Sequence, residues 1–400
     1  MSADALPVED ARARILGGLE PLSPIELSLQ EAHGCVLARD VVAGGDLPPL
    51  PVAASEGFAV RAADIHAAEP GSPVMLSLAA WSRPGRPPPG PLGWGQAVRV
   101  LAGGPVPDGA DAVLPLDAGA ADGEQVRVEH PVEAGERVRP AGSEVRAGDV
   151  LIPGGRRLGA AELGALAAAG RPSALAHARV RVAVMAVGQL VEPGQPAAVG
   201  QAADAVSYAL SGAIRDAGAV PYRVGIVRGA EEDVREAILS NLVRADAFVC
   251  AGDVFAAGGH DLVTSGLGTV APLPVAMSPG GSLDVGELEG KRYFGLPGDP
   301  VAALILFEVL VRPAILVLMG RRDLDRPAVR AVLSEGVPAE DVPRFLPVRV
   351  SRSEGGWGAE VVDDPGALGT MVRANGLAEV PPGGLEAGAE ASVRLFRASA

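Results

Sequence analysis

The hydrophobic pattern of residues 180–251 constrains the fold of this chain more than any other feature. An apolar run, RVRVAVMAVG, precedes a helical period over residues 201–217, and a second apolar run, PYRVGIV, precedes another in EEDVREAILSNLV. A third apolar run, DAFVCAG, completes the series. This alternation predicts a βαβαβ unit in which helices cover a parallel sheet. KRYFGLPGDP and the apolar segment after it extend the unit by a strand, a turn and a helix.

The segments on either side of this unit have a different period. Residues 46–140 alternate short extended runs with Pro/Gly turns, which predicts a small β-barrel or sandwich. Residues 326–400 return to short strands and predict a second small β domain. LGAAELGALAAAG predicts a helix over residues 158–170 that is capped by Gly170. The predicted order is linker, β, linker, α/β and β.

Composition narrows the functional classes. A chain of 400 residues exceeds one ordinary core and predicts two to four domains. The formal charge of −15 repels a polyanion, so we expect no nucleic-acid binding. Cys35 and Cys250 lack metal-ligand spacing, and the simplest interpretation is two small buried thiols. Lys291 is the single lysine, so a motif that requires lysine has one candidate.

The sequence predicts neither a signal peptide nor a membrane span. The start, MSADALPVEDARARIL, is acidic and has a helical period, unlike a signal peptide. Residues 301–319 are the most apolar segment, but they contain Glu308, Arg312 and Pro313. We expect a buried helix that ends or kinks at the proline, and not a membrane span. These features predict a cytoplasmic protein.

Four segments resemble one known family. DLPPLPVAASEGFAVRAADI (46–65) resembles DLPPFDNSAMDGYAVRAAD, and LAGGPVPDGADAVLP (101–115) resembles TGAPLPEGADAVV.P. RPAGSEVRAGDVLIPGGRRLGAAELGALAAAG (139–170) and YFGLPGDPVAALILFEVLVRPAI (293–315) resemble two further family segments almost throughout. The matches are collinear over nearly the whole chain. The chain is therefore identified as a member of the MoeA or gephyrin E-domain family, the molybdopterin molybdenumtransferases.

The resemblance implies an elongated chain of four subdomains. These are a linker-like first subdomain, a β-barrel second, a MogA-like three-layer α/β third and a β-barrel fourth. Mapped onto this sequence, they cover residues 1–45 with 139–174, 46–138, 175–325 and 326–400. The resemblance also implies a homodimer whose active site lies between the third subdomain of one chain and the first two of the other.

The implied reaction is the Mg²⁺-dependent insertion of molybdate into adenylylated molybdopterin, with release of AMP. Carboxylates would hold the metal. The matching positions are Glu56, Glu144 and Asp261 as catalytic residues, with Glu56 and Asp261 as metal ligands. Glu56 and Glu144 each replace a family aspartate. The alternative for Glu56 is a solvated turn residue, and the motif context favours the functional role. His260, beside Asp261, is either a surface residue or part of the site.

The turn GLPGDP is the expected phosphate-binding element, because a Gly-rich turn before a helix presents backbone N–H groups to an anion. The implied cofactor-binding residues are Gly252, Gly295, Pro297, Gly298, Asp299 and Pro300. Asp299 stands where the family has asparagine. Its charge should weaken anion binding, although aspartate is also an excellent helix N-cap.

Several family groups are missing from this chain. A threonine of the second segment is Ala102, the acidic pair of the TGDEL loop is reduced to Gln189, and two lysines of KPGKP are Ser278 and Gly281. GGVSVGDYD has become AGDVFAAGGHD, which puts Gly259 where its first aspartate stood, and RDSN has become AADAVSY. Each preorganised donor or charged group lowers the activation barrier by several kcal/mol. Because several of these groups are missing, we expect molybdenum insertion to be slow or absent.

Two main functions therefore stay open. The first is a divergent molybdenumtransferase. The second is a dimeric scaffold that holds a partner peptide between its third and fourth subdomains, as gephyrin holds receptor tails; the tail of the cell-division protein FtsZ is one candidate. Phe345, Leu346 and Trp357 are either peptide anchors or the core of the last barrel. A generic nucleotide-binding α/β protein is the third interpretation, and the flanking β motifs argue against it.

Overall fold

The computed structural model describes residues 5–228, 231–252, 264–362 and 366–396. The chain forms two compact units. The α/β unit contains Met1–Ile25, Gly34–Ala38 and Leu175–Ala400, and the β unit contains Glu26–His33 and Arg39–Ala174. The first helix packs with the α/β unit, because its residues Val8, Ala11 and Ile15 are buried in the core of that unit. The assignment of residues 1–45 to the first subdomain stays a prediction.

A six-stranded sheet forms the centre of the α/β unit and confirms the predicted βαβαβ pattern. Arg181–Val187 lies between the parallel strands Val220–Val227 and Ala247–Ala251, and Lys291–Leu296 follows in parallel. An antiparallel pair, Gly268–Pro274 and Ser282–Leu288, extends the sheet beyond Lys291–Leu296. The sequence analysis did not identify this pair of strands. The remaining strands of this part are Val36–Leu37, Leu190–Val191 and Ala202–Ala203.

Apolar helices complete the core of the α/β unit. They are Val8–Leu16, Val206–Asp216, Glu231–Asn241, Pro300–Leu306, Phe307–Val311 and Arg312–Leu318. Residues Pro300–Leu318 are long and apolar enough to cross a membrane, but 89% of the segment is buried inside the structure. This burial is typical of a core helix and agrees with the prediction for this segment.

The sequence predicted that this helix either ends or kinks at Pro313. The helix does not end there. Proline has no backbone N–H to donate into the preceding turn, and its ring crowds that turn. Phe307–Val311 is a π-helical segment immediately before it. The wider turn accommodates the proline, and the helix continues as Arg312–Leu318.

The C-terminal strands form a closed barrel, as the sequence predicted a small β domain there. Its five strands are Ala328–Leu333, Gly356–Val361, Arg344–Ser353, Gly376–Val380 and Glu390–Leu395, in their order around the barrel. The short helix Leu368–Arg373 precedes the fourth of these along the chain. We call this element the closed barrel.

The β unit is built on an open sheet of six strands. In their order across the sheet they are Ala112–Pro115, Gly57–Val60, Gln96–Val100, Val74–Ser82, Gln125–Val128 and Gly119–Asp122. One face packs around Phe58 and Leu76, and the other around Val98 and Val113. We call this element the open sheet. Its two outer strands are not paired with each other.

Short elements surround the open sheet. Helices Leu29–Ala32, Ala62–Ile65 and Ala160–Ala168 accompany the strands Val41–Val42, Val52–Ala53, Val138–Arg139 and Val150–Ile152. Gly170 has a φ of 69°, which confirms the predicted glycine cap after Ala160–Ala168. Strands Ile25–Ser28 and Ser173–His177 lie where the chain passes from one unit to the other.

Candidate functional site

The strand order of the α/β sheet places a crevice at the carboxyl ends of two neighbouring strands. After Arg181–Val187 the chain adds Val220–Val227 on one side, and then Ala247–Ala251 on the other. The connections therefore diverge between Arg181–Val187 and Ala247–Ala251. In sheets of this type, ligands bind where the strand order reverses. Gly188 and Gly252 are the first residues beyond these two strands.

Close backbone packing makes glycine necessary at position 252. Its φ is 121°, and its N–H donates to the Leu296 carbonyl at 3.0 Å. A Cβ on Gly252 would lie 2.1 Å from the Val187 carbonyl oxygen, which no side chain tolerates. A Cβ on Gly298 would lie 3.5 Å from the Gly252 Cα. Backbone atoms from three loops thus meet here, and we call this place the glycine crevice.

The GLPGDP turn borders the glycine crevice and begins the core helix. The Asp299 side chain accepts a hydrogen bond from the Ala302 N–H at 2.7 Å, and Pro300 is the first helical residue. Asp299 is therefore an N-cap. It is also exposed, so its negative charge lies beside the backbone N–H groups that an anion would use. Both interpretations of Asp299 are compatible with its position.

The other predicted residues of the turn have distinct surroundings. Gly295 is buried in its strand, and a Cβ there would lie 2.8 Å from Asp284 Oδ2. It shapes the strand and does not offer a surface. Pro297 is half-buried at the start of the turn. Of the predicted residues, Gly252, Pro297, Gly298, Asp299 and Pro300 thus lie in or next to the crevice.

The single lysine does not replace the two that the family motif has. Lys291 begins the strand Lys291–Leu296, and the glycine crevice lies beyond the carboxyl end of that strand. Gln189, beside the crevice, carries no charge. His260 and Asp261 lie outside the described residues, so the structure does not place them.

The two predicted glutamates of the β unit are exposed and paired with arginines. Glu56 Oε2 lies 3.7 Å from Arg99 Nη2, and its side chain is 54% exposed. Glu144 accepts a hydrogen bond from Arg139. Among the parts of the chain that the structure describes, no group of three His, Cys, Asp or Glu residues could hold a metal. The described carboxylates alone do not fit a magnesium site, and the magnesium dependence stays a prediction.

A buried ion-pair network near the crevice was not identified from the sequence. Asp204 is 1% exposed and accepts hydrogen bonds from the Ser207 N–H at 3.0 Å and from Arg223 at 2.7 Å. Arg223 also binds both carboxylate oxygens of Glu192, at 2.8 and 2.9 Å. Burial lowers the pKa of Arg223, but its two carboxylate partners outweigh burial and raise it. Asp204 belongs to AADAVSY, which the sequence analysis had read only as a lost motif.

The predicted buried thiols and peptide anchors have clear positions. Cys35 and Cys250 are both buried, as predicted, and neither forms a disulfide; burial raises the pKa of Cys250 to about 12. Phe345 is 0% exposed and Leu346 is 4% exposed, so neither presents a surface to a peptide. Trp357 is partly buried against the interior of the closed barrel. The assignment of Phe345 and Leu346 as anchors is therefore corrected: they are core residues.

Family models and known proteins match this chain over nearly all of its length. The MoeA N-terminal region (domain I and II) matches residues 6–170, a probable molybdopterin binding domain matches 183–316, and the MoeA C-terminal region (domain IV) matches 330–396. Molybdopterin molybdenumtransferase 1 of Mycobacterium tuberculosis (strain ATCC 25618 / H37Rv) is 37% identical, over 94% of this chain and 95% of the relative. Molybdopterin molybdenumtransferase 2 of the same strain is 34% identical, over 93% and 95%.

A solved structure has the same fold. The crystal structure of a molybdopterin biosynthesis MoeA protein from Pyrococcus horikosii matches with a TM-score of 0.80 and 29% identity. The match covers 99% of this chain and 100% of that one. The fold and the crevice define a class of multidomain protein. Along the chain, an α/β domain of the molybdopterin-binding type is preceded and followed by β domains. The chain belongs to the MoeA family of molybdopterin molybdenumtransferases.

Proposed function

We propose that this protein binds adenylylated molybdopterin at the glycine crevice and inserts molybdenum slowly or not at all. The observation that carries the proposal is the contrast between the backbone and the side chains of the crevice. Gly252 and Gly298 keep the close backbone approach that an anion site needs. The cationic side chains are absent from the described positions that match the family lysines, Ser278 and Gly281. Retained backbone donors favour binding, and missing charges slow the chemistry.

The residues have separate roles in this proposal. The backbone N–H groups of the GLPGDP turn and of the first helical turn that Asp299 does not already bind hold phosphate oxygens, while Asp299 opposes this binding through its charge. Glu56 and Glu144 are the proposed acid–base carboxylates, and each would have to exchange its arginine for the substrate. Asp261 stays a proposed partner of these carboxylates.

The charge of Asp299 provides the sharpest test. An Asp299→Asn substitution keeps an N-cap oxygen but removes the charge, so adenylylated molybdopterin should bind about two- to fivefold more tightly. Asp10→Asn is the matched control, because Asp10 is an exposed acid in the first turn of another helix of the same unit. Equilibrium dialysis gives the affinities, and AMP release in the presence of molybdate, with and without Mg²⁺, gives the turnover.

Two results would count against the proposal. If the unmodified protein does not bind adenylylated molybdopterin, the crevice is not its site. If AMP release matches that of a family member that has TGDEL and KPGKP, the insertion step is not impaired.

A second function is supported by a groove in the α/β unit. A cavity of about 340 Å³ lies between Val206–Asp216, the core helix and Leu368–Arg373. Leu304, Phe307, Leu368, Met371, Val372 and Phe396 line it. Val372 is 81% exposed and Leu368 is 37% exposed, an arrangement that suits the apolar side chains of a short peptide. We propose this groove, instead of Phe345 and Leu346, as the scaffold site of a homodimer.

Substitution of one groove residue tests the scaffold function. Calorimetric titration with a peptide of the FtsZ tail should give an affinity on the order of micromolar. Val372→Glu should abolish it, because it puts a charge into an apolar groove. Val243→Glu is the control, since Val243 is 89% exposed in the same unit but does not line the groove. Equal binding by both variants would place any peptide site elsewhere.

A further inference from the structure

The β unit contains a pocket of about 360 Å³ to which neither the family motifs nor the glycine crevice assigns a ligand. It lies at one end of the core of the open sheet. Phe58, Leu78, Trp81, Arg99 and Leu116 line it, together with the small residues of positions 119–121. We call it the aromatic pocket.

One of the two aromatic rings that line the pocket is exposed to solvent. Phe58 is 1% exposed and belongs to the core, whereas Trp81 is 53% exposed. Leu116, at 39% exposure, adds apolar surface. The Arg83 guanidinium carbon lies 5.3 Å from the centre of the Trp81 ring, and about half of the Trp81 surface stays accessible for stacking.

A guanidinium group lies against the same rings. Strand pairing sets Arg99 opposite both Phe58 and Trp81. The Arg99 guanidinium carbon is 5.1 Å from the centre of the Phe58 ring and 5.7 Å from that of Trp81. Its single ion pair in the described chain is the 3.7 Å contact with Glu56, which is too long for a hydrogen bond. The N–H donors of Arg99 are therefore available to an anionic ligand.

The remaining lining residues have the smallest side chains. Gly119, Ala120 and Ala121 lie on the outer strand of the open sheet and occupy little of the space. The pocket therefore combines Trp81 and Arg99 with small side chains. This arrangement accommodates a flat ring better than a bulky aliphatic group.

We propose that the aromatic pocket binds a planar nitrogen heterocycle that carries an anionic substituent. Trp81 stacks on the ring, and Arg99 binds the anionic group. Glu56 lies next to Arg99, so a ring in this pocket would be held beside one of the proposed acid–base carboxylates. The identity of the ring rests on the proposed function: adenylylated molybdopterin contains a pterin and an adenine, and either has the required chemistry.

Two simple probes test the pocket. Pterin-6-carboxylate and AMP are each titrated against the whole protein, with the quenching of pterin fluorescence and calorimetry as the measurements. Trp81→Leu should weaken the binding of the preferred probe roughly tenfold, because one stacked ring contributes about that much. Trp81→Phe keeps an aromatic face and should restore most of the affinity. Arg99→Gln should weaken binding and reduce its dependence on salt.

Trp94 is the matched control. It is 76% exposed in the same unit and lies 4.4 Å from the Arg61 guanidinium, but it does not line the aromatic pocket. Trp94→Leu should therefore leave the affinity for both probes unchanged. Saturable binding of either probe that depends on Trp81 and not on Trp94 supports the proposal.

Other outcomes overturn the proposal or separate it from the proposed function. If Trp81→Leu, Trp94→Leu and the unmodified protein bind both probes equally, or none binds, the pocket takes no such ring. If Trp81→Leu weakens a dimer and leaves probe binding intact, the pocket is a contact between two copies. Binding of a probe at Trp81, without any binding of adenylylated molybdopterin, supports the pocket and rejects the proposed function. The reverse result rejects the pocket alone.

Discussion

The closed barrel and the open sheet use short β-strands for opposite purposes. The buried residues that fill the closed barrel are at most 6% exposed and include Leu346, Val348 and Val380. Closure also leaves no unpaired edge among its five strands. The two outer strands of the open sheet do not pair with each other, and one end of its core is left accessible beside Trp81.

This difference separates a module whose apolar residues stabilise the fold from a module that leaves surface accessible to a ligand. In the closed barrel, large apolar residues contact one another and exclude any small molecule. In the open sheet, Trp81 and Arg99 lie at the accessible end of an otherwise apolar core. Although the two modules have similar size and strand length, we therefore predict that the same kinds of substitution affect their stability differently.

The largest expected difference is the cost of removing an aromatic ring. Phe345 lies on a strand of the closed barrel, and its side chain packs in the core of the α/β unit, so Phe345→Ala leaves a cavity at a residue that is 0% exposed and should lower the free energy of unfolding by about 3–5 kcal/mol. Trp81→Ala removes a half-exposed ring and should cost about 1 kcal/mol or less. Trp357 is the one tryptophan of the closed barrel, so its fluorescence during urea unfolding, with Trp81 and Trp94 replaced by phenylalanine, reports on the barrel. Equal costs would remove the contrast between the two modules.

Ion pairs should show the same contrast with a smaller magnitude. Arg326 binds both carboxylate oxygens of Glu308, at 2.7 and 3.0 Å, and the Glu308 side chain is 7% exposed. Arg326→Met leaves the Glu308 carboxylate buried without its closest ion-pair partner, which should lower the free energy of unfolding by about 3 kcal/mol. Arg99→Met, beside the exposed Glu56, should cost under about 1 kcal/mol.

Salt provides the internal control for these two variants. The Glu56–Arg99 contact is exposed, so its contribution should fall further as the ionic strength rises. The Glu308–Arg326 contribution should change less, because both side chains are largely buried. A stronger salt dependence for Arg326→Met than for Arg99→Met would contradict the assigned burial of the two pairs.

The smallest expected effect concerns acid. Burial by itself raises the pKa of Asp246, but the hydrogen bonds and charge of Arg181 outweigh burial and lower the pKa from 3.8. A lowered carboxyl pKa contributes stability above the unfolded value, and this contribution disappears as the pH falls through the folded value. Asp246→Asn should therefore cost about 1 kcal/mol near neutrality. The difference from the unmodified protein should vanish in acid.

An exposed acid of the β unit is the control for this measurement. Hydrogen bonds from Ser28 lower the pKa of Glu31, which is exposed, so Glu31→Gln should flatten the acid profile less. Thermal unfolding between about pH 5 and about pH 3 measures both variants. A larger effect of Glu31→Gln would show that burial does not set the acid sensitivity of the two units.

Much of the architecture could be predicted from local sequence signals. The alternation of apolar runs and helical periods predicted the parallel sheet, and Gly170 and Asp299 predicted the ends of two helices. The antiparallel pair Gly268–Pro274 and Ser282–Leu288 was missed, because its alternation is interrupted by proline and glycine. The packing partner of the first helix could not be predicted either, since a short amphipathic helix does not reveal which core it packs against.

The candidate site divides in the same way. The identities of Gly252, Gly298 and Asp299 could be read from motifs, and so could the absence of lysines near them. Their sequence could not show that a Cβ at position 252 would contact Val187, or that Asp204 is neutralised by Arg223. Those facts depend on strands that are distant in the chain. Asp261 lies outside the described residues, so its predicted role stays a prediction.

The sequence by itself determined the family, the order of the modules and the loss of charged groups from the crevice, because residue identity and short-range period are local properties. Only the tertiary structure decided that Phe345 and Leu346 fill a core and that Arg99 lies over Phe58 and Trp81. The physical reason is register. A shift of one residue between paired strands would turn each side chain to the other face of the sheet, and packing of the whole module selects the register.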